Sequence, residues 1–238
     1  MEAFEALLVT IIAASTPLLL AAVGELVVER SGVLNLGVEG MMIIGAVCAF
    51  ASAYSTGSAW IGVFAGMGAG MVFSLAFAFL TQKLLANQVA SGLALTLLGL
   101  GISGQIGDGF TGLPGVKLQP LLVPFLHDIP VVGPILFSHD PLVYLSFVIT
   151  AAVAWVLFKT RTGLIIRAVG DNHDSAHMLG YKVVQTRTCC IAFGGACAGL
   201  AGCYLSLVYT PQWIENMGAG RGWIALALVV FATWLPGR

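Results

Sequence analysis

Apolar residues in this chain fall into long runs, with polar residues gathered between them. Seven runs stand out, at about 4–26, 33–54, 59–81, 88–107, 141–158, 188–209 and 222–235. A helix needs about 20 residues to cross the hydrocarbon layer of a bilayer. The pattern therefore predicts an all-α, polytopic transmembrane helical bundle with residues 1–238 as one domain. The fifth and seventh runs are short, which predicts tilt, interruption or extension into their flanks.

Two of the runs carry polar residues at helical spacing. Ser31, Asn35 and Glu39 recur at i, i+4 and i+8, the spacing of one helix face. Gln88, Gly92, Thr96, Gly99 and Ser103 make a second polar-and-small face. Such faces must avoid lipid, and a carboxylate at the centre of a span costs about 2.5–3.5 kcal/mol. Ser31, Asn35, Glu39, Gln88, Thr96 and Ser103 are accordingly predicted to line a hydrated translocation pathway. The alternative is that they only hydrogen-bond helix to helix. Glu39 is the one acid this reading treats as functional within a span. Elsewhere the pairs Gly66/Gly70 and Gly195/Gly199 predict close helix packing, as does the stripe Ala192, Gly195, Gly199, Gly202 and Ser206.

Composition agrees with a membrane protein. Hydrophobic residues make up 58% of the chain and charged residues 9%, against about 25% charged in soluble domains. The mean hydropathy is +0.97. Net charge is −1, and no basic patch points to nucleic acid. No Lys or Arg precedes the first apolar run, so a retained span is expected rather than a cleaved signal peptide. The five cysteines all lie in apolar segments without a CxxC pair, which favours packing over a disulfide or metal site.

Charge placement sets the expected orientation. Lys159, Arg161, Arg167, Lys182 and Arg187 crowd the segment 159–187, which the positive-inside rule makes cytoplasmic. Arg30, Lys83 and Arg238 then lie inside as well, and only Lys117 and Arg221 outside, with the N-terminus outside. A re-entrant segment at 31–47 would change that parity upstream. The stretch 108–140 holds five of the nine prolines and is assigned outside, as a gating or docking loop whose LLVPFLHDI stretch lies on or dips into the membrane.

Several motif matches lack their context. GLGISG (99–104) fits G-x-G-x-x-G but has no strand before it. His173 and His177 in HDSAH are spaced for one helix face, yet no third metal ligand is evident. No Walker loop is present, and no catalytic nucleophile–base set stands out. RAVGDNHDSAHMLGYKV (167–183) reads as a short helix capped by Asp171 or Asn172 and closed by Gly180. So short a helix must dock on something, and a cytoplasmic partner is the preferred occupant.

TPLLLAAVGELVVERSGVLNLGVEGMM (16–42), NQVASGLALTLLGLGISG (87–104), TGLIIRAVGDNHDSAHMLGYKV (162–183) and the GGACAGLAGCYLSLVY…ENMGAGRGWIALALVVF block (194–231) resemble the permease subunits of ABC importers for simple sugars and nucleosides, a group that includes branched-chain amino-acid permeases. The nucleoside-type branch is the best fit. The resemblance implies a bacterial inner-membrane permease that pairs with a second permease subunit. It further implies a cytoplasmic ABC ATPase carrying ATP and magnesium, and an extracytoplasmic solute-binding protein or lipoprotein, with no cofactor on this chain. Gly170, Asp171, Asn172, Ala176 and Gly180 match the family's ATPase-coupling loop. His173 stands where the family usually has proline, and the family continues past WLPGR with a further membrane segment. Two other readings are an ion-coupled carrier using Glu39 and a nontransporting membrane scaffold.

Overall fold

A computed structural model describes residues 2–121 and 138–237, with side chains from residue 5 onward. The LLVPFLHDI stretch, apart from its first residue, and Arg238 lie outside the described residues. Among the described residues the chain is all helix and irregular segments. Six helices are long and apolar enough to cross a membrane: Glu5–Arg30, Val38–Thr56, Ala59–Lys83, Gln88–Phe110, Pro141–Lys159 and Val183–Tyr209. A seventh apolar helix, Arg221–Phe231, is shorter.

Local signals explain the boundaries. α1 (Glu2–Arg30) ends where Gly32 takes φ +81°, and α2 (Val38–Thr56) closes on Gly57 at φ +71°. α3 (Ala59–Ala78) widens into a π turn through Lys83. Asn87 caps α4 (Gln88–Gly107) by accepting from Ala90 N–H, and Pro141 opens α5 (Pro141–Lys159) where its missing N–H is harmless. Thr160 caps α6 (Arg161–Asp171), and Asn172 caps α7 (His173–Met178) by accepting from Ser175 N–H. Asn172, rather than Asp171, is thus the cap, and the loop holds two helices where one was expected. α8 (Val183–Tyr204) runs on through a π turn to Tyr209, and α9 (Arg221–Phe231) follows an irregular segment.

α2 and α8 form the centre. Their most apolar stretches are 72% and 83% buried, against 28–33% for the other four long helices, which leaves those four a lipid-facing side. Membrane helices gain little from hydrophobic burial against lipid and associate where backbones approach closely. A Cβ on Gly45 would lie 2.6 Å from the Gly199 Cα, and one on Gly70 would lie 2.7 Å from it. Gly202 sits directly against the Met42 carbonyl. The expected small-residue stripe of α8 is therefore the contact surface for α3 along Gly195 and Gly199, and for α2 along Gly202.

Contacts gather the basic residues at one end. The Arg30 and Arg167 guanidinium groups lie 6.0 and 5.3 Å from the Phe158 ring centre, and Lys83 and Lys182 line one cavity. At the opposite end, Phe50, Tyr54 and Phe110 pack ring to ring. There the strap after α4 is pinned by Gly115 N–H to Pro211 O and Leu118 N–H to Leu207 O.

Gly202→Val should abolish correct packing, because the new side chain meets backbone that cannot yield; overpacking typically costs about 1–3 kcal/mol. Gly68→Ala, which enters open space, should be neutral. Thermal unfolding and monodisperse yield in detergent measure both.

Candidate functional site

Two non-helical stretches interrupt the bundle, 31–37 before α2 and 210–220 before α9. In hydrocarbon each free backbone N–H or C=O costs several kcal/mol, so irregular backbone needs dedicated partners. The first stretch has them. Leu34 N–H donates to Gln88 Oε1 at 2.8 Å, Asn35 N–H to Glu25 Oε1 at 3.1 Å, and Gly37 N–H to Asn35 Oδ1 at 3.0 Å. Thr96 Oγ1 donates to Leu36 O at 3.0 Å, and Arg187 Nε to Ser31 O at 3.0 Å.

The second stretch is held from α2. Gly220 N–H donates to Glu39 Oε1 at 3.0 Å, and Gly222 N–H to Glu39 Oε2 at 2.6 Å. A carboxylate thus caps the N-terminus of α9 from another helix, meeting free N–H groups and the positive end of the helix dipole. Hydrogen bonds to a charged group contribute about 1.5–3 kcal/mol each. Two of them match or exceed the cost of placing Glu39 in a span. The fit needs glycine: Gly218 touches the carboxylate, and a Cβ on Gly222 would lie 2.7 Å from the Glu39 Cα.

The other end of α9 fixes the depth of this grip. Trp234 O accepts from Arg30 Nε at 3.1 Å and Nη2 at 2.8 Å, and Trp234 Nε1 donates to Glu29 Oε2. α9 has 11 residues, about 17 Å of helix, roughly half of a ~30 Å hydrocarbon layer. The Glu39 grip therefore lies near mid-membrane. From the aromatic end, residues 210–220 descend to it, passing Trp213 against Gly107 and Glu215 beside Gly104 on α4.

Ser31, Asn35 and Glu39 do not share a helix face. α2 begins at Val38, and Ser31 and Asn35 precede it because Gly32 turns the chain out of α1. All three are buried, as are Thr96 and Ser103, while Gln88 is half-buried. Ser31 Oγ donates to Val28 O and Ser103 Oγ to Leu100 O. Gly92 and Gly99 of the α4 face lie against Leu36–Gly37 and Gly40. Glu39 is also not the single interior acid: Glu25 is 1% exposed. An acid inside the first apolar run was the signal for it. The N–H donors at 220 and 222 left no such mark.

The residues that match the family's coupling loop by resemblance sit together at the basic end. Gly170 is seated on the Arg30 carbonyl and against Gly32. Asp171 ends α6, Asn172 caps α7, Ala176 is buried, and Gly180 at φ +85° closes the loop. Among the described residues no group of three His, Cys, Asp or Glu could hold a metal ion.

The profile of the family described as branched-chain amino acid transport system / permease component matches residues 7–238. The chain belongs to that family. The permease is 43% identical over 230 residues to TsgC13 of Haloferax volcanii, provisionally named a glucose ABC transporter permease, covering 94% of this chain and 70% of that one. It is 34% identical over 234 residues to the guanosine ABC transporter permease NupQ of Bacillus subtilis, covering 93% and 73%. To the nucleoside ABC transporter permease NupC of Lactococcus lactis it is 31% identical over 233 residues, covering 93% and 74%. No solved structure is significantly similar. The permease is a multi-pass membrane protein and a non-catalytic transport subunit.

Glu39→Ala orphans one buried and one half-buried N–H group, each worth up to about 1–3 kcal/mol. The variant should lose about 2–6 kcal/mol of stability, seen in thermal unfolding and in new protease cuts at 212–220. Glu39→Gln, which keeps one acceptor, should fall between Glu39→Ala and the parent.

Proposed function

We propose that the permease is the membrane subunit of an ATP-driven ABC importer for a nucleoside or a simple sugar. The observation that carries this is identity of 31–43% over more than nine-tenths of the chain to glucose, guanosine and nucleoside permeases. Nucleoside stands first, because two of those three names specify one.

In this reading the basic end is cytoplasmic, segment 159–187 docks the ATPase, and segment 108–140 is extracytoplasmic. α7 offers the motor an apolar tip, Met178 and Leu179, 87% and 76% exposed. Such exposed apolar side chains beside Lys182 and His177 suit a protein partner. Ala176 and the Gly180 turn fix the tip, while Gly170 on the Arg30 carbonyl ties α6 to the end of α1. Arg30 holds Trp234, so a push on α7 has a short route to α9 and from there to Glu39. ATP binding would draw two ATPases together, and that route would carry the motion to mid-membrane. A second permease subunit completes the pathway, and an external binding protein supplies solute affinity. ATP and magnesium belong to the partner ATPase.

Ser31, Asn35, Glu39, Gln88, Thr96 and Ser103 then shape the pathway from behind. All but Ser103, which bonds within α4, hold the two breaks, and the surfaces carried by those breaks face the solute. The carboxyl groups of Glu25 and Glu39 accept from backbone N–H groups, which suits a structural part better than proton carriage.

Reconstituted with its ATPase and receptor, the permease should take up labelled guanosine or glucose only with ATP. Uptake that survives loss of the ATPase but collapses with an ion gradient would replace the importer by a carrier. Met178→Asp with Leu179→Asp should abolish co-purification of the ATPase and uptake, while leaving thermal unfolding within about 1 kcal/mol of the parent, as expected for exposed positions.

A further inference from the structure

Gln105, Gln212, Glu215 and Asn216 are exposed, and their side chains form no hydrogen bond or ion pair among the described residues. Their depth makes that unusual. Gln88, at the start of α4, bonds Leu34 just beyond the basic end of α1. Gly104 lies about 24 Å further along α4, still inside a ~30 Å hydrocarbon layer. Glu215 is at that level, with Oε1 3.6 Å from the Cβ position of Gly104, and Gln105 is the next residue of α4. Residues 216–222 continue inward to the Glu39 grip.

A lipid-facing carboxylate and two lipid-facing carboxamides are costly at that position. Intramembrane carboxylates face a bundle interior or a water-filled cavity, and irregular backbone at depth does the same. The described chain does not bury this segment: Ile214 is 44% exposed, and Asn216, at φ +56°, is exposed too. Gly101, one turn inward of Gln105 on α4, also opens onto empty space. Arg221 is turned elsewhere, since its Nη1 donates to Met217 O and the guanidinium lies 5.5 Å from the Tyr209 ring centre.

We infer that α4 and the descending segment form one wall of an aqueous vestibule, in which Gln105, Glu215 and Asn216 hydrogen-bond the hydroxyl groups of the solute. The inference rests on the importer reading for the solute, but not for the water. The chemistry suits an uncharged polyhydroxylated ligand: carboxamides both donate and accept, and a carboxylate accepts from paired hydroxyls. The side chains are short of built-in partners, so the wall is free to exchange water for a sugar or ribose ring. The polar stripe on the opposite face of α4, which joins the helix to α2, plays no part in that exchange.

The experiment uses right-side-out membrane vesicles containing the full transporter, with Gln105→Cys, Glu215→Cys and Asn216→Cys introduced singly. A membrane-impermeant thiol reagent is added from outside, with the parent chain and Thr96→Cys as blanks. Positions 105, 215 and 216 should react while 96 does not, and guanosine or glucose should slow the reaction several-fold. Glu215→Ala should slow uptake several-fold at saturating solute while leaving KM nearly unchanged, because the external binding protein sets the affinity and the vestibule contact acts on passage. Unreactive cysteines at 105 and 215 would mean that lipid or protein covers the wall, and would overturn the vestibule. Full reactivity without protection, in vesicles that do transport the solute, would overturn the hydroxyl contacts alone. Absence of uptake by the parent transporter would overturn the importer reading and the solute contacts together, with the labelling pattern still deciding for or against water.

Discussion

The structure depends on how two broken stretches of backbone are satisfied inside the membrane. A continuous helix bonds its own N–H groups, but residues 31–37 and 210–220 bond only some of theirs locally and leave others that need partners. Their partners come from neighbouring spans: Glu25 and Gln88 for the first break, Glu39 for the second. Each acid lies on the helix preceding the next element of this network, with Glu25 on α1 fixing the entry to α2 and Glu39 at the entry of α2 fixing the entry to α9. The carboxylates in the spans are thus the acceptors that let backbone leave helical geometry at depth. Without them, the free N–H groups at the start of α9 would draw that helix out of the middle of the membrane.

Such a network holds only if the helices carrying it are rigidly placed, and here glycine supplies the rigidity. α2, α3 and α8 meet through Gly45, Gly66, Gly70, Gly195, Gly199 and Gly202 at distances that leave no room for a side chain. α9 is pinned at both ends, by Glu39 at one and by Arg30 with Glu29 at the other, and packs along α1 through Val229 against Val23 and Leu26. The basic-end pin of α9 adjoins Gly170 and Arg187 through Arg30, Gly32 and Ser31, so the same few residues join the basic loop to the break at 210–220.

Much of this could be read from the sequence because the governing signals are local. Span lengths, the Gly-xxx-Gly pairs, the Asn172 cap and the Gly180 stop each depend on neighbours within a turn or two. The irregular stretch at 31–37 was not legible, because i, i+4 and i+8 spacing persists on paper when Gly32 breaks the helix between the residues. Nor was the partner of Glu39, which lies 181 and 183 positions away as two bare N–H groups. Glu25 was overlooked for a different reason: near the end of an apolar run an acid reads as a flank, and only the packing of α8 and the return of Asn35 bury it.

The two faces of α4 carry the wider point. In sequence the stripe from Gln88 to Ser103 is the conspicuous one, regular and rich in hydroxyls, and hydrophilicity in a span suggests water. Yet Thr96 Oγ1 is bonded to the Leu36 carbonyl, Gln88 Oε1 to the Leu34 N–H, and Gly92 and Gly99 lie against the start of α2. Regularity is what a helix–helix contact requires, since its partner is also periodic. A water-filled route has no such partner, and its polar groups need only be numerous enough to exclude lipid. Gln105, Glu215 and Asn216 meet that weaker condition from two separate elements, with no common spacing to betray them. Polar residues left unpaired at depth therefore mark water better than polar residues in register, and that distinction is available only once the break at 210–220 has been placed beside α4.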